Sequence, residues 1–384
     1  MPLLMIPGPI EVSPAVVEAA SGAPPGHLAP ALIESFGAAL EAMRRVWLAP
    51  PDSQPFVVAG SGTLAMEMAA TNLLDPGDGA LVVSSGYFSE RMAEMLRRRG
   101  ASVTVVSAEP GDAPSLDAVE EALSSGRHRA LFATHVDTST GVRVDARALA
   151  QIARAHDVLS VFDGVCATAA ERFEMEAWGA DVYLTASQKA IGLPPGLALL
   201  VASRRALEAR ARLASPPPMS IDFEEWRPIM RAYEERRPGY FSTPATTLVR
   251  ALDVSLREIL ADGMDARFAL HARGAAAMRA AWSALGLREV PARPELAAST
   301  LSALWLPEGV GPELVASVGE RGVVVAGGLH PAIRARYFRV GHMGHVLTRP
   351  EALRATVRAI AEALCQHGHA CDAAAAVAAL DASL

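Results

Sequence analysis

From about Ser53 to Ser203 the chain alternates short apolar runs with stretches of helical periodicity. The runs Phe56–Ala59, Ala80–Val83, Ser102–Val106, Ala130–Thr134, Val158–Phe162, Val182–Ala186 and Leu197–Ala202 predict seven buried strands. The stretches between them carry helix signals. Leu64 to Leu74 reads as one helix. Ser89 reads as the cap of a second, Glu90 to Leu96, that stops at Gly100. Ser115 reads as the cap of a third, Leu116 to Leu123, that stops at Gly126. Such alternation predicts an α/β fold around a mostly parallel sheet covered on both faces.

The pattern then changes. Ser215-Pro216-Pro217-Pro218 reads as a loop. Helical periodicity returns from Ala245 to Ala261 and runs into a long Ala- and Arg-rich helix ending near Gly286. Strands are expected at Thr300–Leu306, Val323–Ala326 and Tyr337–Val340, and helices near Pro312–Arg321 and Pro350–Gln366. The tail from His367 to Leu384 is Ala-rich and reads as a helix or a frayed end. The expected division is an N-terminal segment (1–20), a large domain (21–260) and a smaller C-terminal α+β domain (261–384).

Composition narrows the function classes. With 51% hydrophobic and 20% charged residues, the 384-residue chain can bury a large core. A net charge of −7 with both signs scattered argues against a nucleic-acid surface. No long uncharged apolar run suggests a membrane span, and prolines follow Met1 too early for a signal peptide. Cys166, Cys365 and Cys371 give no disulfide framework. A cytoplasmic enzyme fits these bounds, and so does a binding protein.

The candidate chemistry sits where the strands end. The run Val158–Phe162 ends in Asp163, and Val182–Ala186 ends in Ser187-Gln188-Lys189. A carboxylate and a lysine at neighbouring strand ends suit pyridoxal phosphate (PLP), which needs a lysine to bond its aldehyde carbon and a carboxylate against its pyridine nitrogen. A lone lysine in a loop is more often just exposed, so the surroundings decide. Gly60-Ser61-Gly62-Thr63 opens a helix and could hold a phosphate, or serve as a plain Ser N-cap. Phe88, in Ser85-Gly86-Tyr87-Phe88-Ser89, could stack on a ring or fill the core. His135 to Gly141 places Thr138 at a strand end, where hydroxyls also form local turns. His135 itself reads as structural. Arg339, in an apolar strand, offers a planar fork for a carboxylate or simply faces outward. His342 and His345, and the segment Cys365 to Cys371, lack a convincing set of metal ligands, so no metal is expected.

Taken in order, these segments resemble the class V aminotransferases of fold type I, specifically the alanine–glyoxylate and serine–glyoxylate aminotransferases. The likeness begins at Ile6-Pro7-Gly8-Pro9 and Gly26-His27. It runs through Gly60 to Leu64, His135 to Gly141, Thr185 to Gly192 and Tyr240 to Pro244, and ends at Arg339 to Gly344. Several segments are most similar to the fungal alanine–glyoxylate type.

The resemblance implies a PLP-dependent transfer of an amino group from a small amino acid, alanine first, to glyoxylate, by ping-pong kinetics through pyridoxamine phosphate. Serine, ureidoglycine or pyruvate as substrates remain alternatives. It implies that Lys189 holds the cofactor, Asp163 binds its ring nitrogen, and Val165 and Phe88 pack on its ring. Thr138 would bond the phenolic oxygen. Ser61, Gly62, Thr63 and Gln188 would hold the phosphate, with Tyr240 and Thr243 reaching it from the second subunit of a homodimer. Arg339 would clamp the substrate carboxylate. The animal enzymes carry tryptophan at the Phe88 position and histidine at the Thr63 position, which leaves the donor open.

Overall fold

A computed structural model describes residues 2–384. A two-residue strand, β1 (Leu3–Leu4), precedes two helices, Pro14–Ser21 and Pro30–Val46. The main sheet is built from β2 (Gln54–Ala59), β3 (Gly79–Ser84), β4 (Ser102–Ser107), β5 (Ala130–Thr134), β6 (Leu159–Asp163), β7 (Val182–Ala186) and β8 (Leu197–Ala202). Their order across the sheet is β2-β8-β7-β6-β5-β3-β4. Every pair is parallel except the two made by β8. Six strands therefore end at one edge, and β8 alone runs the other way.

Burial follows sheet position. Every residue of β5, β6, β7 and β8 is buried, so these strands are near-continuous runs of Ala, Val, Leu and Phe. Strand β4 lies at the sheet edge, and its Ser and Thr positions are largely exposed. The seven expected strands are all present with shifts of one or two residues. One shift matters, because Asp163 is the last residue of β6 and not the residue after it.

The C-terminal part carries β9 (Leu301–Trp305), β10 (Val323–Val324), β11 (Ala326–Gly327) and β12 (Tyr337–Gly341). The expected strand Val323–Ala326 is in fact two. Residues 323–324 pair with β1, whereas 326–327 pair with β12 in the antiparallel sheet β11-β12-β9. Other expectations also need correction. The helix Tyr87–Arg98 has Gly86 at its N-cap, so Ser89 is not its cap. The helix Phe223–Glu234, which contains Pro228, lies where only a loop was expected. The tail needs no correction: of the two expected forms it takes the helix, Ala373–Asp381, capped by Asp372.

Two large apolar cores result, with two smaller clusters beside them. One runs from Val16 to Phe268 around the main sheet. The other joins Met5 to Ala277–Leu380. The helix Met264–Ala284 passes from the first to the second. Through Met5 and the β1–β10 pairing, the N-terminal segment is anchored on the C-terminal core.

Candidate active site

The edge where six strands end is where most of the singled-out residues meet. Ser61, Gly62, Thr63, Phe88, Thr138, Asp163, Val165, Gln188 and Lys189 line one cleft of about 180 Å³. That is below the roughly 300–1,000 Å³ of drug-sized sites, and leaves room for a small ring, not a dinucleotide.

Ser61 ends the turn after β2 and opens the helix Gly62–Leu73 without making a side-chain cap. Its hydroxyl and the first helical N–H groups are thus free for an anion. Gly62 is glycine because of packing: a Cβ there would lie 3.0 Å from Val165 Cγ2 and 3.3 Å from the Ala186 Cβ.

Phe88 sits in the first turn of the helix Tyr87–Arg98 that follows β3, held by a residue the sequence reading left without a role. Asp137 Oδ2 accepts from Phe88 N at 2.9 Å, and its Oδ1 accepts from Ser139 N at 2.9 Å and Ser139 Oγ at 2.6 Å. One buried carboxylate therefore fixes both the Phe88 turn and the Thr138 loop. Thr138 Oγ1 has no hydrogen-bond partner among the described residues, so its hydroxyl is available to a ligand.

Asp163 is 3% exposed. Its Oδ1 accepts from Val165 N at 2.8 Å, and its other oxygen has no hydrogen-bond partner among the described residues. Burial, with a smaller push from Asp137, raises its pKa to about 7 against the pull of Val165 N and Lys189. A carboxylate so placed favours a cationic hydrogen-bond donor in the cleft.

Lys189 is buried, and burial lowers its pKa, with Arg339 adding to the effect. Its Nζ donates to the Pro7 carbonyl. Gly8, at φ +94°, has no room for a side chain: a Cβ would lie 2.5 Å from Lys189 Cδ. The N-terminal segment thus forms a wall of the lysine's cavity. A buried amine with a lowered pKa is more often neutral, which is the form that acts as nucleophile or base.

Arg339 comes from β12. Its Nε donates to Gly327 O at 2.9 Å and its Nη1 to Thr138 O at 3.0 Å. Among the described residues no carboxylate pairs with it. The guanidinium is braced by neutral carbonyls with its charge uncompensated, as a carboxylate site requires.

Two expected residues are not brought to the cleft within this chain. Tyr240 is 61% exposed, with its hydroxyl 3.4 Å from Thr243 Oγ1. Thr243 lines a separate groove with Leu64, Trp226 and Phe241.

The sequence reading passed over two signals. Arg91 lines the cleft one helical turn after Phe88. Its Nη2 donates to Tyr87 Oη at 3.0 Å, its Nη1 lies 3.5 Å from Thr63 Oγ1, and no described carboxylate pairs with it. It could face an anion beside the helix start. The second signal was a count. Of the 35 lysines and arginines, only Lys189 is a lysine.

The histidines belong to structure. His135 Nδ1 is 2.9 Å from Tyr183 Oη, and burial lowers its pKa to about 3. His342 Nε2 is 3.0 Å from Ser302 Oγ. Among the described residues no three His, Cys, Asp or Glu side chains are placed to hold a metal.

The donor set therefore fits a phosphorylated pyridine aldehyde: a helix start with free hydroxyls, a carboxylate with an open oxygen, and one buried amine. Comparison with known proteins agrees. The family model "Aminotransferase class-V" matches residues 26–359. Alanine–glyoxylate aminotransferase 1 of Saccharomyces cerevisiae is 38% identical, over 89% of this chain and 91% of its own. L-Aspartate–glyoxylate aminotransferase of Paracoccus denitrificans is 35% identical, over 89% of this chain and 86% of its own. The crystal structure of ureidoglycine–glyoxylate aminotransferase from Bacillus subtilis superposes with a TM-score of 0.92, at 23% identity, over 100% of this chain and 98% of its own. The likeness to fungal enzymes expected from sequence is matched by the yeast relative. This chain belongs to the class-V aminotransferase family and has its fold.

Proposed function

We propose that the protein is a PLP-dependent transaminase that moves an amino group from alanine to glyoxylate. The observation that carries this reading is that the chain's single lysine and Asp163 line one cleft, with Arg339 held beside it on the carbonyl of the lining residue Thr138.

Bound PLP supplies an electron sink for bond breaking at the substrate Cα. The chain's residues do the rest. Asp163 holds the ring nitrogen in its protonated form. Lys189 Nζ anchors the cofactor, then takes the proton from the substrate Cα and returns it. Arg339 orients the substrate carboxylate. Ser61, Gly62, Thr63 and Gln188 hold the phosphate, Phe88 and Val165 pack against the ring, and Thr138 bonds the phenolic oxygen. Buried walls keep water out while the amino group waits for the second substrate, which gives ping-pong kinetics.

The reading includes a cytoplasmic homodimer. It places residues 1–20 in an N-terminal segment, 21–260 in the large domain and 261–384 in the small one. Tyr240 and Thr243 would act on the partner subunit's phosphate, which suits an exposed tyrosine with no place in its own cleft. A mixture of Lys189→Ala and Tyr240→Phe/Thr243→Ala chains should then regain activity when subunits exchange, because one site of each mixed dimer is intact.

The donor is tested by a panel of alanine, serine, aspartate and ureidoglycine against glyoxylate. Alanine should give the highest kcat/KM. A higher value for another donor would replace alanine in the reading, and no transfer from any of them would overturn it.

A further inference from the structure

The segment from Cys365 to Cys371, unused by the active site, folds back on itself. Cys365 lies in the last turn of the helix Pro350–Gln366, and Cys371 comes just before the cap of the terminal helix Ala373–Asp381. The reversal between them turns at Gly368, at φ +84°, where the left-handed backbone suits glycine. It is held by Gly368 N donating to Cys365 O at 3.0 Å and by His369 N donating to Leu364 O at 3.0 Å. The two histidines of the segment turn away from the sulfurs. His367 Nε2 is 2.8 Å from Ser317 Oγ, and His369 Nε2 is 2.8 Å from Leu285 O. That leaves two sulfurs facing each other, with Sγ···Sγ at 3.3 Å. Cys365 is exposed and Cys371 partly so, whereas Cys166 is buried.

We propose that Cys365 and Cys371 form a dithiol modification site, which peroxide oxidises to an intrachain disulfide clasping the terminal helix to the end of the helix before it. The backbone reversal has already closed the loop between them. The sulfurs already touch, and a further approach of little more than 1 Å would reach the about 2.05 Å of an S–S bond.

The exposed Cys365 gives up its proton and attacks one oxygen of hydrogen peroxide. The O–O bond breaks, the other oxygen leaves as water with that proton, and Cys365 becomes a sulfenic acid. The Cys371 sulfur then displaces the hydroxyl, which leaves as a second water with the Cys371 proton. Two thiols are oxidised by two electrons, and one peroxide is reduced to two waters. A dithiol reductant reverses the change by exchange. Burial pushes the Cys371 thiol up to about 12, which disfavours it as the first nucleophile. Residues 373–381 pack Ala376, Val377 and Leu380 into the C-terminal core, so the bond would tie covalently what apolar contact already holds.

The test treats the full-length holoprotein with hydrogen peroxide, denatures it and titrates thiols. Titratable thiols should fall from three to one. The C-terminal tryptic peptide, residues 359–384, contains both cysteines and should lose the mass of two hydrogens. Dithiothreitol should restore both values. Cys365→Ser and Cys371→Ser should each abolish the loss, and Cys166→Ser should leave it intact. The proposal is overturned if that peptide gains oxygen atoms without losing hydrogens. It is equally overturned if the link forms between chains or involves Cys166.

Discussion

The two edges of the main sheet each bury an aspartate, and they treat it differently. At the edge away from the cleft, Asp181 precedes β7. Its Oδ2 accepts from Ser160 N and from Arg205 Nη1, both at 2.9 Å, and its Oδ1 accepts from Ser203 Oγ at 3.0 Å. At the cleft edge, Asp163 ends β6 with one backbone donor and an open oxygen. The two are 1% and 3% exposed, so burial cannot explain the contrast. Asp181 is paired because it ties strands together. Asp163, Lys189, Arg91 and Arg339 lie at the other edge with no described opposite charge bonded to them. Several ionisable groups facing one cleft without an opposite partner mark a place for a ligand to complete, and that is the physical signature of this site.

Substitutions at the two edges should therefore part company. The largest effect is expected for Lys189→Ala, which removes cofactor anchor and proton carrier together. Loss of proton transfer alone costs on the order of 10²–10⁴-fold in turnover, and the melting temperature should change little. A stability loss of the same rank as the activity loss would make Lys189 a structural residue.

Next comes the paired experiment. Asp181→Ala leaves Arg205 its second carboxylate, Asp157, but strands the buried donors Ser160 N and Ser203 Oγ. It should cost about 3 kcal/mol of stability, read as a shift in the urea midpoint with cofactor affinity unchanged. Asp163→Asn should lower kcat far more than it alters the urea midpoint. Equal loss of stability in both would erase the difference between the edges.

Arg339→Lys exchanges a fork for a point charge. It should raise KM for both amino and keto acid by roughly tenfold, about 1.4 kcal/mol of lost binding. An unchanged KM for both would move the carboxylate site elsewhere.

Smallest per pH unit, at no more than about 1.36 kcal/mol, is a pH slope in the cofactor-free protein. Asp163 keeps its proton to about pH 7 when folded, against 3.8 for the ordinary group. Between those values the folded state binds more protons, so stability falls as pH rises. The whole effect is at most about 4 kcal/mol, at 1.36 kcal/mol per pKa unit. Lys189, pushed down from 10.5 by burial, gives the opposite slope at alkaline pH, and His135 and His342, pushed down by burial to about 3, give it below pH 6.5. The Asp163 effect is therefore read below pH 7 as the difference in slope between the parent and Asp163→Asn. The variant should lose the falling contribution, and identical slopes in the two proteins would contradict the raised pKa.

The sequence made the sheet legible because fully buried strands are continuous apolar runs, and strand ends announce the site. Asp163, Lys189 and the Ser61 turn were visible for that reason. Periodicity could not show that Val323–Ala326 changes partner at Val325. It also hid the helix Phe223–Glu234 behind a proline cluster and Pro228. Gly8 against Lys189 is a contact between distant parts of the chain, invisible to any local pattern. Arg91 was readable only once the Tyr87–Arg98 helix was set against the cleft. The count of one lysine was on view throughout.

That count also gives the most direct test. Because Lys189 is the only lysine, the chain has one side-chain amine besides its amino terminus. Reduction of the PLP-loaded protein with borohydride, followed by tryptic mapping, should leave one cofactor mass per chain on the peptide containing Lys189, and none in Lys189→Ala. Cofactor fixed at the amino terminus, or none retained at all, would contradict the assignment of this cleft as the PLP site.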